Sequence, residues 1–124
     1  MYLNRQTVDV VTAADGSATA YSAVVNGRVL SIQYVKDATT PFSDGVDFTV
    51  TGEITGTTLW SELNVNASKA VAPREQVHST AGVGLTYDGT RAVCEPVGFA
   101  EERVKIVIAS GGDTKKGRFY ILVG

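Results

Sequence analysis

His78 is the single histidine of the chain and lies in the run REQVHSTAG, beside Ser79 and not far from Glu75 and Asp88. A nucleophilic triad needs a base within hydrogen-bond reach of its nucleophile, and a third group to orient that base. No nucleophile-elbow pattern accompanies His78, so it reads as a loop histidine with local hydrogen bonds. Cys94, the single cysteine, stands between Val93 and Glu95 with no basic neighbour of the kind that activates a thiolate. It is expected to be a buried structural thiol. With one His and one Cys, a zinc site would have to borrow carboxylates, and no pair has ligand spacing. No metal, cofactor or enzymatic activity is therefore expected.

The remaining chemistry-bearing residues are binding candidates. Glu101 and Glu102 are adjacent carboxylates, but neighbours on a strand point to opposite faces, so they read as solubilising edge charges. Asp113, Lys115, Lys116 and Arg118 form a charged turn region, either simply solvated or able to dock an acidic protein patch. Trp60, Tyr87 and Phe42 are the side chains available for a sugar-stacking platform, although a lone Trp more often anchors a core or an interface. The candidate interaction residues are thus Trp60, His78, Tyr87, Lys115 and Lys116, with Pro73 and Arg74 from the segment leading to His78.

These residues must be positioned by strands. Val104, Ile106 and Ile108 alternate with polar neighbours, as do Phe119, Ile121 and Val123. This period-two pattern predicts two half-buried strands forming a terminal β-hairpin over 103–124, with GGDTKKG as its exposed tip. Thr7–Thr12 predicts a first strand, closed by Asp15-Gly16. Residues 17–25 predict a second, and Asn26-Gly27 predicts a hairpin turn directly into a third over 28–35, with Leu30, Ile32 and Tyr34 on its apolar face. Val46, Phe48 and Val50 alternate cleanly after the loop over 36–45. The run 57–65 reads as a strand with Leu59 and Leu63 on one face and Trp60 and Glu62 on the other, in preference to a short helix.

Residues 66–96 carry only a weak strand signal, at Val83–Tyr87, yet are too apolar for a free linker. They are expected to form an arm lying against its own domain or a neighbouring subunit. The whole pattern predicts a single all-β domain over 1–124, an antiparallel β-sandwich of jelly-roll-like or immunoglobulin-like type. Its core should set the closing hairpin against the faces carrying Leu30, Ile32, Tyr34, Val46, Phe48 and Val50.

At 124 residues, 44% hydrophobic and 19% charged, the chain is large enough to bury a core without staples. A formal charge of -2 argues against nucleic acid or an anionic membrane as the main partner. One cysteine permits no intrachain disulfide, which favours an intracellular folding site. MYLNRQTVDV has no apolar signal region, and no stretch is long and apolar enough to read as a membrane span.

The segments DATTPFSDGVDFTVTGEITGTTLWSELNVNASKAVAPREQVHSTAG and ERVKIVIASGGDTKKGRFYILVG resemble a group of small proteins encoded among the head and morphogenesis genes of tailed bacteriophages and prophages. Residues 44–51, 59–68, 73–82 and 103–112 carry most of the likeness. The resemblance implies a virion structural protein with no catalytic residues, of the capsid decoration or cement type. It further implies partners in the major capsid protein or other virion proteins, a homo-oligomer pictured as a trimer at a capsid threefold position, and assembly in the bacterial cytoplasm. A head-tail joining or tail protein and a carbohydrate-binding β-sandwich module stand as alternatives.

Overall fold

The computed structural model describes residues 3–124. Met1 and Tyr2, the start of the segment read as lacking a signal region, lie outside them. The strands are β1 (Asn4–Val11), β2 (Ala18–Lys36), β3 (Asp47–Gly52), β4 (Thr58–Glu62), β5 (Lys69–Val71), β6 (Arg74–Gln76), β7 (Cys94–Ala109) and β8 (Lys116–Val123). Their pairings are antiparallel, in the order β1-β8-β2-β7-β3-β4, with β5 added to β2 and β6 to β7. The fold is all-β, and among the described residues no helix is long and apolar enough to cross a membrane.

The sheet folds on itself at β2. Residues 18–29 of this strand pair with β7, and residues 29–36 pair with β8. Strands that change layers in this way make the corners of a sandwich. One layer holds β1, β8 and the second half of β2; the other holds the first half of β2 with β7, β3 and β4. The inner faces meet through rings, with the Phe48 and Phe119 centroids 5.1 Å apart, Tyr34 and Phe48 4.7 Å apart, and Trp60 and Phe119 6.4 Å apart. Ile32, Val50, Val104, Ile106, Ile108, Phe119 and Ile121 are completely buried between the layers.

Two expected hairpins are absent. The apolar strands at the C-terminal end, β7 and β8, do not pair with each other; each pairs with β2. Alternation had identified both strands, but it is blind to the layer in which a strand lies. The connection between them crosses from one layer to the other and is tied down by Thr12, whose Oγ1 donates to the Gly112 carbonyl and accepts from Lys115 N–H. At Asn26-Gly27 the chain does not turn but continues along β2. Gly27 takes φ 130°, in the region open chiefly to glycine, within an irregular step of the β2–β7 ladder.

Three bulges bend these strands, and a side chain answers the backbone group left over at each. Around Ser22 the ladder shifts between Tyr21 and Val24, and the buried Ser22 Oγ accepts from Val104 N–H at 2.9 Å. Beside Asn26 the extra residue falls in β7; Glu101 stands at φ 50° and its N–H donates to Asn26 Oδ1 at 2.8 Å. At Leu30 the β2–β8 register slips, and Arg74 Nη1 donates to the Leu30 carbonyl at 3.1 Å. This last bulge corrects the expected apolar face, because Val29 is buried in place of the half-buried Leu30. A further bulge in β4 turns both Leu59 and Trp60 inward, and the strand ends at Glu62, leaving Leu63 70% exposed.

Removing the Ser22 hydroxyl leaves a buried N–H without its acceptor. Ser22→Ala should destabilise the protein by about 1–3 kcal/mol, measured by urea unfolding. Ile121→Ala should cost about 2–5 kcal/mol, whereas a polar residue at Ile106 or Ile121 should prevent soluble folding. Wild-type stability in these variants would contradict the core described above.

Candidate functional site

β2 and β7 diverge beyond Val29 and Val97, and β5 and β6 enter the wedge between them, β5 pairing β2 and β6 pairing β7. Pro73 is buried at the bend joining β5 to β6. Arg74 is tethered there, donating through Nη1 to both the Leu30 and Pro73 carbonyls. These two candidate interaction residues therefore form the root of the arm, with Arg74 filling a hydrogen-bond vacancy that the β2 bulge creates.

From this root the arm leaves the body. Its backbone closes a triangle: Val77 N–H donates to Val93 O at 2.8 Å, Val93 N–H to Leu85 O at 3.0 Å, and Leu85 N–H to Val77 O at 2.8 Å. Bridges His78–Gly84 and Thr86–Ala92 extend it on either side. Gln76 lies over Gly84, where an added Cβ would come within 2.4 Å of Gln76 Oε1, and its Nε2 donates to the Leu85 carbonyl. The spacing of Val77, Leu85 and Val93 by eight residues is the sequence signal for this unit. It is obscured because each segment between them is turn-like and none alternates over a strand's length.

The side chains read as possible chemistry are engaged in holding turns. Ser79 Oγ accepts from Ala81 and Val83 N–H, forming the first tip. Asp88 Oδ1 accepts from Arg91 and Thr90 N–H, forming the second, and these bonds, chiefly that from Arg91, hold its carboxyl below the usual aspartate range. His78 is exposed and contributes a backbone bridge. Glu75 lies directly opposite Glu95 across the β6–β7 ladder, both exposed. No three of His, Cys, Asp and Glu converge as a metal site requires, among the described residues.

Other candidates lie elsewhere. Trp60 is buried, stacked edge-on against Phe48 at 5.3 Å with Nε1 donating to Glu62 Oε1, and Phe42 is also buried. Only Tyr87 of the three aromatics is exposed, at 64%, so they assemble no stacking platform. Cys94 is exposed at the base of the arm, correcting the expected buried thiol; its strand has left the sandwich there and no second layer covers it. Lys115 and Lys116 sit at the crossing between β7 and β8, away from the arm. Lys116 lines a cleft of about 570 Å³ between the ends of β1 and β2 and the start of β8, together with Val11, Val35, Lys36, Asp37 and Arg118. In it Arg118 Nε pairs with Asp9 Oδ1 at 2.7 Å. Asp37, held down to about 2 by N–H bonds first from Thr40 and then from Thr39, caps its own loop.

Glu102 departs from its expected role as an edge charge. It is not an edge solubiliser but a buried carboxylate, 3% exposed. Its Oε1 accepts from Ile54 N–H at 2.8 Å, Thr55 N–H at 2.7 Å and Thr55 Oγ1 at 3.0 Å, pinning the β3–β4 turn to the bend of β7. Gly52 provides the space, since a Cβ there would lie 2.4 Å from Glu102 Oε1. These bonds, led by Thr55 N–H, lower the Glu102 pKa. A carboxylate stabilised as the anion is a turn clamp and a poor proton donor. Because the folded value lies below the unfolded one, its contribution is present above about pH 4.5 and is lost as pH falls below that. Glu102→Gln should lower stability at neutral pH and flatten its acid dependence, as followed by urea melts across pH; an unchanged acid limb would remove Glu102 from this role.

No protein-family model matches the chain, and no curated protein matches it significantly. Among solved structures it is similar to the crystal structure of FLHE, with a TM-score of 0.48 and 9% identity over 99% of this chain and 98% of that one. A likeness of this size carries no functional inference.

Proposed function

We propose that the chain is a non-enzymatic structural protein of a tailed-bacteriophage virion, of the capsid decoration or cement type, acting through symmetric subunit contacts. One observation carries the reading: the arm extends from the body with Val83, Leu85, Tyr87 and Val93 exposed, while the polar groups around them are occupied in forming its turns. An ordered, apolar, chemically unreactive projection is suited to contact with another protein surface. The sequence likeness to phage head and morphogenesis proteins supplies the setting, and with it the major capsid protein as partner, a trimer as the favoured assembly, and the bacterial cytoplasm as the place of assembly. Contacts that are individually weak gain strength when repeated over a shell.

Cryo-electron microscopy of purified particles tests this. Density for the chain at many symmetry-related positions on the head is expected. Its absence from the head shell would overturn the decoration reading, and a single ring at the head-tail joint would assign it to the joint instead.

A further inference from the structure

We infer that the arm of one copy docks into the cleft between β1, β2 and β8 of a second copy, so that the chain associates head to tail into a closed ring. This rests on the proposal above only in taking the protein to be a homo-oligomer; it assigns the two surfaces.

The first observation is an unbalanced charge on the arm. Glu75 and Glu95 are directly opposite across the ladder, where like charges repel. Neither has an ion-pair partner among the described residues, whose four ion pairs lie at Lys69–Glu62, Arg91–Asp88, Arg103–Glu53 and Arg118–Asp9. The second observation is the converse imbalance at the cleft. Lys36 and Lys116 line it and neither meets a carboxylate; Lys36 Nζ donates to the Asn66 carbonyl, while the two acids beside them are engaged by Arg118 and by the Thr39–Thr40 loop. The cleft thus sets three cations, Lys36, Lys116 and Arg118, against two carboxylates, Asp9 and Asp37, and its net positive charge is the complement of the acidic pair on the arm.

Polarity agrees with charge. The arm exposes Leu85 and Tyr87, and the cleft has an apolar wall that includes Val11, itself 53% exposed, and Val35. A single subunit cannot satisfy both halves. Ser68 Oγ accepts from Lys36 N–H and Arg74 reaches the Leu30 carbonyl, so the chain entering the arm runs back along β2, away from the cleft. Two different patches on one molecule that face apart make a heterologous contact, which closes into a ring when the rotation per subunit permits.

Light scattering coupled to size exclusion on the full chain tests the assignment, with circular dichroism confirming that each variant is folded. Wild type should be a closed oligomer. An arm variant, Leu85→Asp with Tyr87→Asp, and a cleft variant, Lys36→Glu with Lys116→Glu, should each associate at least about tenfold more weakly. Mixed in equal amounts the two should stop at a dimer, because the pair retains one intact arm and one intact cleft. Glu75→Lys with Glu95→Lys should be weakened alone and, mixed with the cleft variant, should grow past that dimer to the closed oligomer, because the reversed charges then pair at the second junction as well. A monomeric wild type, or a cleft variant that keeps the wild-type mass, would overturn the proposal; the second result would indicate arm-to-arm contact. Failure in solution leaves the virion reading to the particle map, and absence from particles leaves the ring to this measurement.

Discussion

The fold depends on β2 changing layers. A continuous strand of 19 residues can serve two sheets only if it bends, and bending an antiparallel ladder strands backbone donors and acceptors. Buried without a partner, the Val104 N–H would cost about 1–3 kcal/mol, whereas the groups at Glu101 and Leu30 lie at the surface and lose less. Ser22, Asn26 and Arg74 supply the missing partners at Val104, Glu101 and Leu30. These three polar residues hold the bends in place, and Ser22 does so inside the core. Glu102 extends the same logic outward, fastening the β3–β4 turn to the point at which β7 bends.

This explains which parts of the structure were legible in the sequence. Alternation located Phe48 and Val50, Val104, Ile106 and Ile108, and Phe119, Ile121 and Val123 as inward faces, because side-chain period is a local property of an extended chain. Connectivity was not local. Asn26-Gly27 has the composition of a two-residue turn, and the same tolerance for positive φ serves a bulge when the flanking residues find partners on a third strand. GGDTKKG likewise has the composition of a hairpin tip, but the partner of each flanking strand is β2. Competition among strands for partners decides such cases, and a window along the chain does not contain it.

The candidate site was legible as a region and not as a set of residues. The combination of apolar content with weak periodicity marked residues 66–96 as an arm. Within it, His78, Ser79, Glu75 and Asp88 had drawn notice because their types are those of a hydrolytic triad. In the folded chain Ser79 and Asp88 each organise a tight turn through local backbone N–H groups, the commonest use of these side chains. Trp60 is the core anchor that a lone Trp more often is, but Phe42 gave no sign in the sequence of the second layer that covers it.

The arm is also where local order and burial part company. Val77, Leu85 and Val93 close a ring of backbone hydrogen bonds, yet Leu85 and Val93 remain 40% and 37% exposed. Hydrogen bonds exposed to water contribute little net stability, whereas fixing each residue's backbone costs about 1–2 kcal/mol. A unit ordered in this manner draws its stability from its root, where Pro73 is buried and Arg74 is bonded to β2. The link is physical and directional: the bulge at Leu30 that lets β2 change layers also presents the carbonyl that holds the arm. Distortion at the corner of the sandwich is therefore transmitted to the projecting surface, and the position of the exposed apolar residues follows from the same bend that closes the core.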